Sequence, residues 1–188
     1  MSEFNSLTAS ELGDLIGKGE IDPVELTEYF ISQIDLSPIG KKIYSTVTSQ
    51  LALEQAKGSK TRAKLGRRLS SLDGVPISWK DLFDITGYPC EAGSDLLGGR
   101  LANENAKVYN FAESHGLICL GKTHMSELAF SGLGLNPVKE TPPCLNNPGA
   151  VPGGSSSGAA TSVAFDLAAA GIGSDTGGSV LIPAAWNN

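Results

Sequence analysis

Two clusters of glycine and serine toward the C-terminal end carry the residue types that could do chemistry. They cover residues 153–158 and 177–179, and an alanine-rich run with a helical pattern separates them. Glycine lets the backbone adopt positive φ and approach a ligand closely, and serine supplies a nucleophile or hydrogen-bond donor. Two such turns on either side of one helix indicate a site rather than a linker.

The two histidines do not provide an obvious general base for these serines. His115 lies at the C-terminal end of a predicted helix, where a cation is favoured, and nothing marks His124 as a base. The GxSxG turn that presents a nucleophilic serine in α/β-hydrolases does not occur. A Ser-His-Asp triad is therefore not predicted.

Lys80 is the remaining candidate base. It ends an apolar stretch, residues 74–80, that predicts a buried strand, and burial lowers the pKa of a lysine toward neutrality. The other nine lysines lie in polar, charged, loop or turn surroundings. The alternative is a structural salt bridge from Lys80 to Asp81 or Asp84.

Residues 116–123 match the phosphate-binding pattern GxxxxGK(S/T). The residues between the glycines are Leu-Ile-Cys-Leu, which favour a buried strand over an exposed loop whose N–H groups could surround phosphate. Residues 153–158 lack the lysine that follows a phosphate-binding loop, and GxGxxG is absent. We predict no nucleotide site.

The elements that position these residues alternate between helix and strand. Thr8 and Glu11 form a capping box, and Asp22 precedes a proline at the first position of a second helix. The pattern predicts an α/β fold with a mixed β-sheet core flanked by helices. Predicted helices cover approximately 8–17, 22–34, 50–69, 105–115, 123–130 and 156–170, and residues 177–186 are predicted as a turn that leads into a further helix. Predicted strands cover 43–47, 74–80, 117–120 and 170–174, and a long ordered loop or lid covers 136–151.

Composition restricts the ligand and the compartment. The 188 residues are 40% hydrophobic with a formal net charge of −6, which suits one globular domain and argues against nucleic-acid or membrane-surface partners. No apolar run approaches the ~20 residues of a membrane span, and the N-terminus lacks a signal-peptide pattern. Three cysteines without CxxC, beside two histidines, predict reduced thiols, a cytoplasmic location, no metal site and no cofactor.

Three ordered motifs resemble those of the amidase signature family. They are GVPISWKD at 74–81, PGGSSSG at 152–158 and GSDTGGS at 173–179. The opening LTASELGDLIGKGEIDPVEL and the central GKTHMSELAFSGLGLNP fit as well, so the resemblance covers essentially the whole chain.

The resemblance implies a Ser–cis-Ser–Lys triad at Ser179, Ser155 and Lys80. Ser179 would be the nucleophile that holds the acyl group, and Ser155 would relay a proton between it and Lys80. The three-serine run leaves the relay position ambiguous from the residues alone, and the family places it on the first serine. In the family the preceding peptide is cis, which here is Gly154–Ser155.

The resemblance also implies an oxyanion hole at the second turn. The backbone N–H groups of Thr176, Gly177, Gly178 and Ser179 would bind the tetrahedral oxygen. Asp175 would hold the turn by accepting backbone hydrogen bonds.

The sequence departs from the family in charge and in length. The family commonly has arginine two residues after the nucleophile, where this chain has Leu181, which puts acidic substrates in doubt. Family members are several hundred residues long, so we expect residues 1–188 to be a truncated, N-terminal portion of a single amidase signature domain. Residues 1–70 would be a mainly helical lead-in, and residues 71–188 would carry the motifs.

Three hypotheses follow. The first is an amidohydrolase that cleaves a small-molecule carboxamide through an acyl-enzyme. The second is the glutaminase component, or A subunit, of a tRNA-dependent amidotransferase, which releases ammonia from glutamine for partner subunits. The third is a catalytically silent fragment with a packing role. A homodimer or the amidotransferase subunits would be the protein partners.

Overall fold

A computed structural model describes residues 4–5 and 7–188. The helices and strands follow one another in the alternating order that the sequence predicts. They are α1 (Ala9–Lys18), α2 (Pro23–Leu36), α3 (Gly40–Ile43), β1 (Tyr44–Val47), α4 (Ser49–Lys64), β2 (Pro76–Lys80), α5 (Lys107–Ser114), β3 (Ile118–Thr123), α6 (Ser157–Ala164), β4 (Ala170–Ile172) and α7 (Leu181–Asn187), with single 3₁₀ turns at Asp95–Leu97 and Glu127–Ala129.

The first two helices begin where their capping residues predict. Thr8 Oγ1 accepts from Glu11 N at 3.2 Å, and Glu11 Oε2 accepts from Thr8 N at 2.7 Å, which completes the capping box. Asp22 Oδ1 accepts from Val24 N at 2.9 Å at the start of α2. Helix α1 ends at a left-handed Gly19. Local hydrogen bonding therefore determines both helix starts.

The four strands form one mixed sheet in the order β1-β3-β2-β4. Strand β2 is parallel to both neighbours, β3 and β4, and β1 is antiparallel to β3. The mixed sheet with flanking helices confirms the predicted fold class. The register places Trp79 of β2 beside Ile172 of β4, so the chain leaves both strands at the same edge of the sheet.

Alternate side chains of strand β2 point to opposite faces of the sheet. Ile77 and Trp79 are buried in the main hydrophobic core with residues of α1 and α2. Ser78 and Lys80 lie on the other face, where Ser78 Oγ is 2.7 Å from Ser162 Oγ of α6. The central strand thus separates an apolar layer from a polar one.

The residues that match the phosphate-loop pattern form strand β3, which is buried throughout. Gly116 adopts φ 84°, and Gly121 packs so closely on β1 that a Cβ there would lie 2.3 Å from Thr46 O. The prediction that these residues form a buried strand, and not a phosphate-binding loop, is therefore confirmed.

The helix predicted over 123–130 is wrong. Strand β3 continues to Thr123, and only the single 3₁₀ turn Glu127–Ala129 follows. Leu128 and Ala129 both have positive φ, and Leu128 N donates to the carbonyl of Ala92 instead of to a preceding turn. Hydrogen bonds to a distant loop replace helical ones in this segment.

Two predicted helices are shorter than their patterns suggest. Helix α4 ends at Lys64 instead of at residue 69, and the N–H of Leu65 closes its last turn by donating to Thr61 O. Helix α6 ends at Ala164 because Asp166 takes a positive φ of 57°, and β4 then begins at Ala170.

The loop at 136–151 contains no helix or strand and is held by its own side chains. Asn136 Nδ2 donates to Gly93 O and Met125 O, each at 2.8 Å. Lys139 Nζ lies 2.9 Å from Glu91 and 2.8 Å from an Asp95 carboxylate oxygen. These contacts anchor the start of the loop to the rest of the chain. Among residues 4–5 and 7–188, no helix is both long and apolar enough to cross a membrane.

Candidate active site

Lys80 lies at the carboxyl end of β2 with its side chain fully buried. Its Nζ donates to Ser155 Oγ at 2.7 Å and to Ser174 Oγ at 2.8 Å. The structure therefore brings Lys80 and the predicted relay serine together. The alternative of a salt bridge to Asp81 or Asp84 is wrong, because those carboxylates bind other cations.

Burial lowers the pKa of Lys80 to about 8, because desolvation penalises the ammonium form, although the negative charge of Asp175 acts in the opposite direction. The hydrogen-bond partners of Nζ are two hydroxyls and, at 3.5 Å, the carbonyl of Ser174; all are neutral and stabilise an ammonium less than a carboxylate would. A lysine in this environment can accept a proton near neutral pH.

The first glycine–serine turn holds Ser155 in a cis peptide with Gly154, as in the family. Gly154 N donates to Gly132 O at 2.8 Å, and a Cβ at residue 154 would lie 2.7 Å from the Cα of Gly134. Ser155 O accepts from Ser126 N at 3.1 Å. The glycines at 153 and 154 are thus required by close contact with neighbouring segments of the chain.

Ser156 connects the two glycine–serine turns. Its N–H donates to the carbonyl of Ser179 at 3.0 Å, and its hydroxyl donates to the carbonyl of Ser174 and accepts from Ser174 N, both at 3.3 Å. Helix α6 starts at the next residue, and Gly158 packs against the end of β3 so closely that a Cβ there would lie 2.6 Å from His124 O. The relay serine and the nucleophile candidate therefore belong to one hydrogen-bonded unit.

The carboxylate of Asp175 organises the second turn. It accepts from Gly178 N at 2.6 Å, Val180 N at 2.8 Å and Leu181 N at 3.1 Å. These backbone hydrogen bonds lower the pKa of Asp175, so it is ionised at neutral pH. Gly178 has φ 102°, which favours glycine at this position.

Ser179 follows this turn and is half-buried. Within the described part of the chain its hydroxyl makes no hydrogen bond, so it is free to approach a ligand. The N–H groups of Thr176 and Gly177 likewise donate to no described residue, and a Cβ at Gly177 would meet nothing within 4 Å. Two backbone donors are therefore available beside Ser179, whereas that of Gly178 is occupied by Asp175.

Sequence reasoning missed Ser174 as a partner of Lys80. Its hydroxyl is 2.8 Å from Lys80 Nζ, almost as close as that of Ser155. The residue precedes Asp175 in the third motif, but only the pairing of β4 with β2 brings it to the lysine.

A second buried lysine was also missed. Lys122 has no exposed surface, and its Nζ lies 2.7 Å from Asp81 Oδ1 and 3.0 Å from Pro89 O. Asp81 Oδ2 also accepts from Glu91 N at 3.1 Å. Lys122 pairs with Trp79 in the sheet register, so it lies on the face opposite Lys80, and its ion pair with Asp81 fixes the chain where it leaves β2.

The other candidate nucleophiles and bases lie outside this cluster. Burial raises the pKa of Cys90 and of Cys119 to about 11, so both thiols are protonated at neutral pH. Burial lowers the pKa of His124, whose backbone carbonyl accepts from Gly158 N of α6. In the ranges 4–5 and 7–188, no three His, Cys, Asp or Glu side chains cluster as metal ligands.

The geometry combines a buried lysine of lowered pKa, two hydroxyls in contact with it, and a serine beside free backbone donors. This combination can perform acyl transfer, in which a serine attacks a carbonyl and a neutral amine accepts its proton.

Comparisons with known proteins agree with this chemistry. A family model described as Amidase matches residues 25–188. The chain is 36% identical over 189 residues to the A subunit of the glutamyl-tRNA(Gln) amidotransferase of Acinetobacter baylyi, covering 99% of this chain and 38% of that protein. It is 38% identical over 180 residues to the corresponding protein of Thioalkalivibrio sulfidiphilus, covering 95% of this chain and 37% of the relative.

Solved structures of amidases share the fold. The native peptide amidase from Stenotrophomonas maltophilia has a TM-score of 0.89 at 28% identity, with 98% of this chain and 39% of that chain covered. A bacterial aryl acylamidase has a TM-score of 0.87 at 30% identity, with 97% and 38% covered. The chain thus spans less than half the length of the proteins that it resembles.

Proposed function

The chain belongs to the amidase signature family, and from that premise we propose that it carries the acyl-transfer machinery of an amidohydrolase acting on a small-molecule carboxamide. The observation that carries the proposal is the contact of Lys80 Nζ with Ser155 Oγ at 2.7 Å, in surroundings that lower the pKa of the lysine to about 8.

In the proposed acylation step, Ser179 Oγ attacks the amide carbonyl carbon. The proton of Ser179 passes to Ser155, and the proton of Ser155 passes to neutral Lys80. When the tetrahedral intermediate collapses, the C–N bond breaks and the relay returns the proton to the departing ammonia or amine. The relay needs the hydroxyls of Ser179 and Ser155 to meet when substrate is bound, as catalytic hydrogen bonds often tighten only in that complex.

Water completes the proposed reaction. It attacks the acyl-enzyme carbonyl, gives its proton to the same relay, and releases the carboxylic acid with Ser179 restored. The free N–H groups of Thr176 and Gly177 are the proposed oxyanion donors. Family resemblance assigns Gly178 and Ser179 to the same role, but the N–H of Gly178 donates to Asp175, so Gly178 would serve by shaping the turn. Loss of one such donor costs ~3 kcal/mol of transition-state stabilisation.

We extend the proposal to the context of the chain. Because it spans 38% of an amidotransferase relative, residues 1–188 would form the N-terminal portion of a single amidase signature domain. Residues 1–70 would be its helical lead-in and 71–188 its motif-bearing portion. The protein would act in the cytoplasm, without a metal or cofactor, as a homodimer or with amidotransferase subunits.

The test is acylation of the purified chain with a neutral p-nitroanilide. Two signals are measured: the release of p-nitroaniline and the mass of the acyl adduct. Ser179→Ala should abolish both signals, and Lys80→Met should lower the rate at least about 100-fold. Ser32→Ala, an exposed serine of α2, is the matched control and should have no effect. A wild-type chain that forms no adduct would support the alternative of a catalytically silent fragment.

The second candidate is the A subunit of an amidotransferase, which the names of the sequence relatives favour. In that case glutamine would be the ammonia donor and ammonia release would depend on partner subunits. Ammonia release from glutamine and anilide hydrolysis should be measured on the same preparation. Both should be measured with and without partner subunits: anilide hydrolysis that needs no partner, with no glutamine turnover even when partners are added, would favour the amidohydrolase, whereas ammonia release that appears only with partners would favour the A subunit.

A further inference from the structure

The segments around the candidate nucleophile carry almost no charge. No lysine, arginine or histidine follows Lys139 in the sequence, and Asp166 and Asp175 are the only acidic residues from 141 to the end. Residues 128–138, which lie beside the first turn, contain no charged residue at all. Any charged group on a substrate acyl chain would therefore find few partners among these residues.

The charges that are present nearby are already engaged. The Asp175 carboxylate accepts three backbone hydrogen bonds, and Lys139 is held between two carboxylates. Lys80 is buried against two hydroxyls. The chain thus offers no free cation beside Ser179 within the ranges that the structure describes.

Large apolar side chains are exposed on the same segments. Phe130 is 92% exposed, Leu133 50% and Leu181 73%. Leu133 O accepts from Gly153 N at 3.0 Å, which fixes this segment against the first turn. Leu181 lies two residues after Ser179, at the start of α7.

Ile182 joins the two segments. Its Cδ1 lies 2.9 Å from the Cβ position of Gly178 and 3.5 Å from that of Gly132. Ile182, the residue after Leu181, thus lies against Gly132, in the segment that carries Phe130 and Leu133. We name these four apolar residues of the two segments, Phe130, Leu133, Leu181 and Ile182, the apolar wall. A surface of this kind next to a reactive serine gains free energy by burial against an apolar ligand.

We propose that the apolar wall binds an uncharged, apolar acyl group of the amide substrate and that Leu181 determines this specificity. The proposal rests on the proposed function, since it names the acyl group that Ser179 would carry. A carboxylate on the acyl chain would lose water without gaining a cation, and the ionised Asp175 would repel it.

The test compares two fluorophosphonates of equal chain length, one with a terminal methyl and one with a terminal carboxylate. In each, Ser179 Oγ bonds to phosphorus, fluoride leaves and the serine proton passes to the relay. Rates are measured by mass spectrometry of the adduct at low salt. We expect the wild-type chain to react at least tenfold faster with the neutral probe, the scale of discrimination in apolar pockets.

Leu181→Arg should lower the ratio of the rate with the neutral probe to the rate with the charged probe at least tenfold, and high salt should partly restore this ratio. Leu36→Arg introduces the same charge at a similarly exposed leucine at the end of α2, and it should leave the ratio unchanged. Phe130→Ala, which adds no charge, should slow only the neutral probe, and circular dichroism checks that each variant is folded.

The outcomes separate the two proposals. If neither probe modifies Ser179, the proposed function fails and this inference fails with it. If both probes react but the wild-type chain prefers the neutral probe by less than threefold, the assignment of the apolar wall is overturned. It is also overturned if Leu181→Arg changes that preference less than threefold while Phe130→Ala slows both probes equally. In either case the proposed function remains.

Discussion

Replacing Lys80 with methionine should change how stability depends on pH. Burial lowers the pKa of Lys80 from 10.5 to about 8, so between these values the unfolded chain holds a proton that the folded chain has released. Stability should therefore rise with pH through this window. Below pH 8 the lysine is charged in both states, and the full cost of its burial is present.

The magnitude follows from the size of this shift. Each unit of difference in pKa corresponds to about 1.4 kcal/mol. Burying Lys80 therefore lowers the free energy of unfolding by ~3 kcal/mol at pH 7 and by less than ~1 kcal/mol at pH 10. Lys80→Met removes this term. The free energy of unfolding of the variant relative to wild type should therefore fall by ~2.5 kcal/mol between pH 7 and pH 10.

The assay is urea denaturation of wild type and Lys80→Met at both pH values, with Lys18→Met on the exposed surface of α1 as the matched control. Comparing the same two proteins at two pH values cancels the constant cost of lost hydrogen bonds. The reasoning is refuted if the difference between them changes by less than ~0.5 kcal/mol, which is the usual uncertainty of such measurements. The same pKa predicts that the rate of Ser179 modification rises tenfold per pH unit up to about pH 8.

Three further predictions test the surroundings of this lysine. Ser174→Ala removes a hydroxyl 2.8 Å from the lysine, so acylation should slow about tenfold, the value of one hydrogen bond; an unchanged rate would make that contact incidental. Asp81→Asn or Lys122→Met leaves a buried partner unpaired and should cost about 3–5 kcal/mol in urea denaturation, whereas the double variant should cost less than the sum. Gly158→Ala forces a Cβ to within 2.6 Å of a backbone oxygen and should lower stability by ~1–3 kcal/mol, whereas Gly177→Ala, with open space around it, should not; equal effects would contradict the packing argument.

The fold class was predictable because local chemistry determines most of its elements. Thr8 and Asp22 cap helices that begin where expected, and the apolar run ending at Lys80 forms the central strand. The segment 123–130 was not predictable, since the N–H groups of His124, Ser126 and Leu128 donate to carbonyls that are distant in sequence. No local pattern carries that information.

The candidate site was predictable to the extent that its residues lie in motifs. Lys80 and Ser155 are in contact, as the resemblance implies, and the peptide before Ser155 is cis. The contact of Ser174 with the lysine follows from the pairing of β4 with β2, which a single sequence does not reveal. A single sequence also does not reveal that Lys122 is buried. Its strand ends in polar residues, and its burial is tolerable only because the Asp81 carboxylate at the end of β2 pairs with it.

The run of three serines at 155–157 has a consequence for how this sequence can change. Each hydroxyl has a different partner: that of Ser155 accepts from Lys80, that of Ser156 donates to the carbonyl of Ser174, and that of Ser157 donates to a carbonyl after β3. A substitution removes one of these contacts, whereas the insertion or deletion of a residue shifts all three hydroxyls to the wrong partner at once. The length of this turn should therefore be under stronger selection than the identity of Ser156 or Ser157.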